Sequence, residues 1–115
     1  MAKKDQSFHD YVVLDLLTGI TGISSRAMFG GWGIYEHGIF FALIAEGELY
    51  FKVDDSNRAD FEKLESRPFV YEGNKGKPMT MSYWLVPEEI MEDRETLATW
   101  VARAVAVAKA SKKKQ

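Results

Sequence analysis

The sequence predicts a single small α+β domain in which a mainly antiparallel sheet is flanked by helices. Three observations predict it. Helical spacing of apolar residues is confined to the two ends and one middle segment, β-rich runs crowd the stretches between, and the links joining the first four runs are too short for parallel crossovers. At 115 residues the chain has the length of one domain. Hydrophobic residues make up 46% and charged residues 28%, proportions at which a packed core forms and global disorder does not. No internal repeat or Pro/Gly/Ser-rich linker divides residues 1–115; order is expected over about 6–110, with a lysine-rich tail at 111–115.

Taken in order, the first helix is expected from Phe8 to Thr18. Ser7 stands as N-cap with Asp10 three residues on, and Phe8, Val12, Val13, Leu16 and Leu17 form the apolar face. Strands follow at Arg26–Gly30 and Trp32–Tyr35. Glu36-His37-Gly38 then turns the chain into Ile39–Ala45, and Glu46-Gly47 is a two-residue hairpin into Glu48–Val53. Asp54, Asp55 and Ser56 offer N-caps for a second helix to about Glu65, with Phe61 and Leu64 inward and Arg67-Pro68 as its stop. Phe69–Glu72 and Met79–Val86 pair across Gly73–Lys77. Pro87-Glu88-Glu89 opens the last helical region and Asp93 caps a fresh helix. There Leu97, Trp100, Val101, Ala104, Val105 and Ala108 make a narrow, alanine-rich stripe suited to the sheet or to a helix partner.

Composition narrows the function classes. The chain has no cysteine, which removes disulfides, thiolate metal sites and cysteine nucleophiles together and suits a reducing cytoplasm. The N-terminus leads into a segment carrying His9, Asp10 and Asp15 and not into a signal-peptide core, and no apolar run is long enough to span a bilayer. A cytoplasmic location, with no membrane association, is therefore expected. The net charge of −2 weighs against a free-standing nucleic-acid binder, whose affinity comes mainly from neutralising phosphates. The basic clusters, Lys3-Lys4 and Lys112-Lys113-Lys114, sit at the ends.

Candidate chemistry is sparse. Gly30, Gly31 and Gly33 suggest a phosphate loop, but no Gly-Lys-Ser/Thr follows and the flanks are strands, so a bulge or tight bend is expected. His9 and His37 lack a second histidine at ligand spacing, and His37 is expected to be an exposed turn residue. Asp54 and Asp55 diverge at a strand end, and Ser82 lacks a nucleophile elbow. No catalytic, metal or cofactor site is expected. Tyr50 and Lys52 share one face of their strand, while Tyr83 and Trp84 lie on opposite faces of theirs. Arg26, Lys52 and Arg58 are the cations available to a nucleic acid or other partner. Trp32, Tyr35 and Tyr83 are the aromatics available to line a small-molecule pocket.

The runs Arg26–Tyr35, with Met28, Phe29, Gly30, Gly31 and Gly33, and Phe41–Asp54, with Tyr50 and Lys52, resemble the TfoX N-terminal domain family. The likeness continues through Asn57–Phe61, Pro68–Tyr71, Met79–Trp84 (with Tyr83 and Trp84) and Pro87–Glu89. The family takes its name from TfoX/Sxy regulators of bacterial natural competence. The resemblance implies a two-layer, secretion-chaperone-like architecture and a link to transcription regulation, where such regulators assist a catabolite-responsive activator. It carries no catalytic residues. Longer regulators add a C-terminal domain resembling a helix-hairpin-helix region, which residues 1–115 do not include, so a stand-alone interaction module is expected. Such a module works through a protein partner or as a homodimer, with direct nucleic-acid binding and a small-molecule-binding or cryptic enzymatic role as alternatives.

Overall fold

The computed structural model describes residues 6–28, 30–72 and 78–113, with side chains described except at 71–72, 78–81 and 112–113. Phe29 and the expected Gly73–Lys77 turn lie outside the described residues, as do Lys3, Lys4 and Lys114.

Helix α1 (Gln6–Asp10) continues directly into a π-helical stretch (Tyr11–Leu16). The Leu17 amide reaches back to the Val12 carbonyl at 3.0 Å. This wider winding puts residues four and five apart on one side, and Val12, Leu16 and Leu17 are all buried. Ser7 lies inside the helix instead of capping it, and the Asp10 carboxylate engages the His9 ring.

Six strands follow: β1 (Ile23–Met28), β2 (Gly31–Glu36), β3 (Ile39–Ala45), β4 (Glu48–Lys52), β5 (Pro68–Glu72) and β6 (Pro78–Leu85). They form one sheet in the order β1-β2-β3-β4-β6-β5, and every neighbouring pair is antiparallel. β1 begins and ends earlier than the sequence suggests, because Gly30 has φ 76° and turns the chain between Met28 and Gly31. The next two hairpins have positive φ at both loop residues, His37-Gly38 and Glu46-Gly47, the type I′ geometry that matches strand twist. In β3, Ala42 faces Ile34 while Phe40 faces Tyr35. Phe41 is thus the extra residue of a bulge, and Phe41 and Ala42 are both fully buried.

Helix α2 (Arg58–Lys63) carries the chain from β4 past β6 to β5. Its cap residue is Asn57, not one of the three residues before it. The buried Asn57 amide closes the turn after β4, accepting from the Asp54 amide at 2.9 Å and donating to the Lys52 carbonyl at 3.1 Å. Helix α3 (Glu88–Met91) precedes α4 (Arg94–Lys113), and Asp93 caps α4 by accepting from the Thr96 amide at 3.3 Å. All six residues of the expected α4 stripe are buried, Ala104 completely, so the stripe serves the sheet. Phe61 of α2 lies 4.5 Å from Trp100 and 6.3 Å from Trp84, centroid to centroid, joining α2, α4 and the sheet. Among the described residues no helix is long and apolar enough to cross a membrane.

Candidate functional site

Cross-strand partners share a sheet face, so the register sorts the side chains into two sets. Trp32, Ile34, Ala42, Ile44, Leu49, Phe51 and Trp84 belong to the core shared with the helices. The other face carries Arg26, Met28, Gly31 and Gly33, then Tyr35, Phe40 and Leu43, then Tyr50, Lys52, Tyr83 and Leu85. Tyr50 and Tyr83 are only 5% and 6% exposed, yet they stand outside the core that meets the helices. Their cover comes from neighbours on their own face.

Those neighbours interlock closely. Tyr35 stacks on Phe40 at 5.2 Å, Phe40 meets Tyr83 at 5.6 Å, and Tyr50 meets Phe69 at 5.0 Å. The absent side chain of Gly33 leaves room for the Met28 methyl and the Phe40 ring, which a Cβ there would meet at 2.6 and 3.1 Å. Lys52 Nζ lies 4.9 Å from the centre of the Tyr83 ring and donates to Ser82 Oγ at 2.8 Å. The Tyr50 hydroxyl donates to Glu48 Oε1 at 3.0 Å, and Arg67 donates to the same oxygen at 2.9 Å.

Burial dominates the electrostatics of this face. It pushes the Tyr83 phenol up to about 12, helped by the nearby Tyr35, and pushes Tyr50 up to about 12, helped by the bond to Glu48. The same desolvation pulls Lys52 below the usual lysine value, against a weaker pull from Asp54. Both phenols therefore stay protonated at neutral pH and can donate hydrogen bonds.

A cleft opens at one end of the face. β3 and β4 pair as far as Ala42 and Phe51. Beyond that point β4 continues with β6 through Lys52 and Tyr83, while the start of β3 stays with β2. The parting strands leave a cleft of about 340 Å³ lined by Tyr35, Gly38, Ile39, Phe40, Lys52 and Tyr83, with Ala108 and Ser111 of α4. A second hollow, between α2 and α4, is spanned by the Arg103–Asp60 ion pair. Among the described residues no cluster of three or more His, Asp or Glu is placed to hold a metal ion.

The sequence model of the TfoX N-terminal domain family matches residues 15–108, taking in the whole sheet and most of α4. The chain belongs to the TfoX N-terminal domain family. No curated protein sequence matches it.

In this TfoX N-terminal domain, the runs that carry the resemblance supply both faces of the sheet, and six of the residues singled out within them meet on one. Met28, Gly31, Gly33, Tyr50, Lys52 and Tyr83 share the face away from the helices; Gly30 makes the turn and Trp84 faces the helices. Arg26 joins the shared face, exposed, whereas Arg58 is held by Asp55 at 2.5 Å and Glu62 at 3.9 Å at the start of α2. The three cations do not form one patch. Tyr35 and Tyr83 do meet in a pocket, but Trp32 does not join them. Residues 32 and 35 fall on opposite faces, and the Trp32 ring meets the His9 ring at 4.1 Å, tilted by 37°, on the helix side. The cleft residues Ile39, Phe40, Ala108 and Ser111 carry no local motif that would mark them.

His9 holds a constellation invisible in the sequence. Its Nε2 bonds Ser25 Oγ and its Nδ1 bonds Asp10 Oδ1, both at 2.8 Å. The order is that of a hydrolase relay, and neither of the two clefts described above is lined by these residues. The buried imidazole fastens α1 to β1 through Ser25 and holds Asp10 of its own helix with the other nitrogen, and His9 and Asp10 precede the span that the TfoX N-terminal domain model matches. His37, by contrast, is an exposed turn residue beside Glu36.

Proposed function

We propose that this TfoX N-terminal domain is a non-enzymatic interaction module, serving transcription regulation of the TfoX type through protein contact at the helix-free face of its sheet. One observation carries the reading: six of the residues behind the family resemblance, scattered from β1 to β6, meet on that face. A solvent-facing sheet surface ordinarily alternates to polar residues. This one carries the half-buried Met28, Tyr35, Phe40, Leu43 and Leu85, packed around the buried Tyr50 and Tyr83. Methionine and aromatic residues are the types enriched at the centres of protein interfaces.

A photo-crosslinking residue at Leu43 tests this in native cells, with Ala98 on the exposed side of α4 as control. A discrete protein adduct is expected from Leu43 and not from Ala98, and its mass distinguishes a second copy from another protein. Adducts only from Ala98, or none from Leu43, refute the reading. Direct nucleic-acid contact draws less support, because Arg58 is already paired with two carboxylates and the net charge is −2. A mobility shift that weakens steeply with salt would reverse that ranking.

A further inference from the structure

We propose that the cleft between β3 and β4 is a binding site for a small aromatic carboxylate, with Lys52 as its anion contact. This goes beyond the protein-contact reading and does not depend on it.

The volume comes first. About 340 Å³ lies within the range of roughly 300–1,000 Å³ typical of small-molecule sites. The walls come next. Tyr35 and Phe40 are stacked at 5.2 Å and Phe40 meets Tyr83 at 5.6 Å, so three rings bound the space, and Ile39 and Ala108 close it with apolar surface. Flat aromatic walls favour a flat aromatic body.

The lining is about as polar as it is apolar, and its polar side-chain groups are the Lys52 ammonium and the hydroxyls of Tyr35, Tyr83 and Ser111. Lys52 Nζ has the neutral Ser82 hydroxyl at 2.8 Å, and no carboxylate of the described residues lies within ion-pair distance of it. Burial weakens its ammonium form, against a smaller opposing pull from Asp54. An anion seated in the cleft would be its direct ion-pair partner. The Tyr83 phenol, protonated at neutral pH, and the Ser111 hydroxyl are further donors on the lining.

The donor set also selects among anions. One ammonium, with no arginine on the lining, suits a single carboxylate better than a phosphate chain. Ser111 stands near the C-terminal end of α4 at Lys113, where the helix dipole opposes an anion. Affinity is accordingly modest, in the micromolar to millimolar range.

Amide-resolved NMR titration of the whole chain with 2-naphthoate tests the proposal, with 2-naphthylmethanol as the uncharged arm. Saturable shifts are expected at Phe40, Lys52, Tyr83 and Ser111. Binding should weaken about tenfold for the alcohol and about tenfold in Lys52→Met, and stay within a few-fold in Lys52→Arg. Retention of the native spectrum by Lys52→Met separates loss of the site from loss of the fold, and Lys52→Arg supplies the comparison if Lys52→Met is unfolded. Absence of saturable shifts up to the solubility of 2-naphthoate overturns the proposal. So does equal binding by the acid and the alcohol, or saturation confined to another surface. Crosslinking from Leu43 reads a different event, so either proposal can fail alone.

Discussion

Gly31 offers the sharpest test of how the sheet is built. A Cβ added there would fall well inside contact of the Ile44 carbonyl oxygen, and would stand 3.1 Å from the Ile44 carbonyl carbon and 3.4 Å from Ala45 Cα. These are backbone atoms of β3, which is paired with β2 on one side and β4 on the other. They cannot step aside as a side chain would. Gly31 has no positive φ, so the constraint is space alone. Overpacking costs about 1–3 kcal/mol and a displaced ladder bond about another 1 kcal/mol, so Gly31→Ala should lose roughly 3 kcal/mol. For a domain of this size that is a fall in Tm of about 10–15 °C, and the bulkier Gly31→Val should not fold stably. Gly33→Ala meets chiefly the tip of Met28, a flexible side chain, and should cost about 1 kcal/mol. Gly19→Ala meets nothing within 4 Å and should change stability by less than about 0.5 kcal/mol. Urea unfolding followed by tryptophan fluorescence ranks the three. A Gly31→Ala protein within about 0.5 kcal/mol of the parent, or one more stable than Gly33→Ala, would refute the reasoning.

Four further outcomes follow from the geometry. His9→Ala should cost about 2–3 kcal/mol in chemical denaturation, because it removes both bonds of the clamp and the contact with Trp32; a neutral result would mean that α1 is not held through His9. A fluorophosphonate probe should leave Ser25 unmodified, and covalent labelling detected by mass spectrometry would turn the clamp into a reactive relay. Tyr50 and Tyr83 ionise at about 12 in the folded chain against 10.0 when free, so their contribution is complete below pH 10 and is lost as pH rises toward 12. Stability should fall there by about 1.4 kcal/mol per pH unit for each phenol, and Tyr83→Phe should remove one high-pH step from the absorbance titration. Phe61→Ala should lose about 3–4 kcal/mol, since its ring joins Trp84 to Trp100; a loss below about 1 kcal/mol would show that α2 is not fastened through it.

Much of this fold is legible because its signals are local. Glu46-Gly47 names its own hairpin, the α4 stripe repeats at helical spacing, and strand alternation places Tyr50 with Lys52 and divides Tyr83 from Trp84. The misses have physical causes. Phe8, Val12, Leu16 and Leu17 fit an α-helix as well as a π-helix; only the Leu17-to-Val12 bond decides. β1 was hard to place because Ser24, Arg26 and Ala27 are exposed on an edge strand and supply no apolar alternation. Trp32 and Tyr35 are three apart on one strand, so alternation sends them to opposite faces. The cleft could not be read locally at all. It exists because β6 inserts beside β4, and α4 returns from the far end of the chain to close it.

The helix-free face differs from the core in what it asks of its residues. Core positions such as Ile34, Ala42 and Phe51 are fully buried and ask mainly for apolar volume, which several residue types can supply. The other face asks for particular atoms: a phenol hydroxyl bonding Glu48, an ammonium reaching Ser82 across the Tyr83 ring, a missing Cβ beneath Met28. Stability alone does not require such atom-level demands on a face without helices, because an alternating polar surface would meet it. Lys52 and Tyr83 belong to both the face and the cleft. An occupant of the cleft would therefore touch two side chains built into the face proposed to meet a partner, and the two proposed events would be coupled through them.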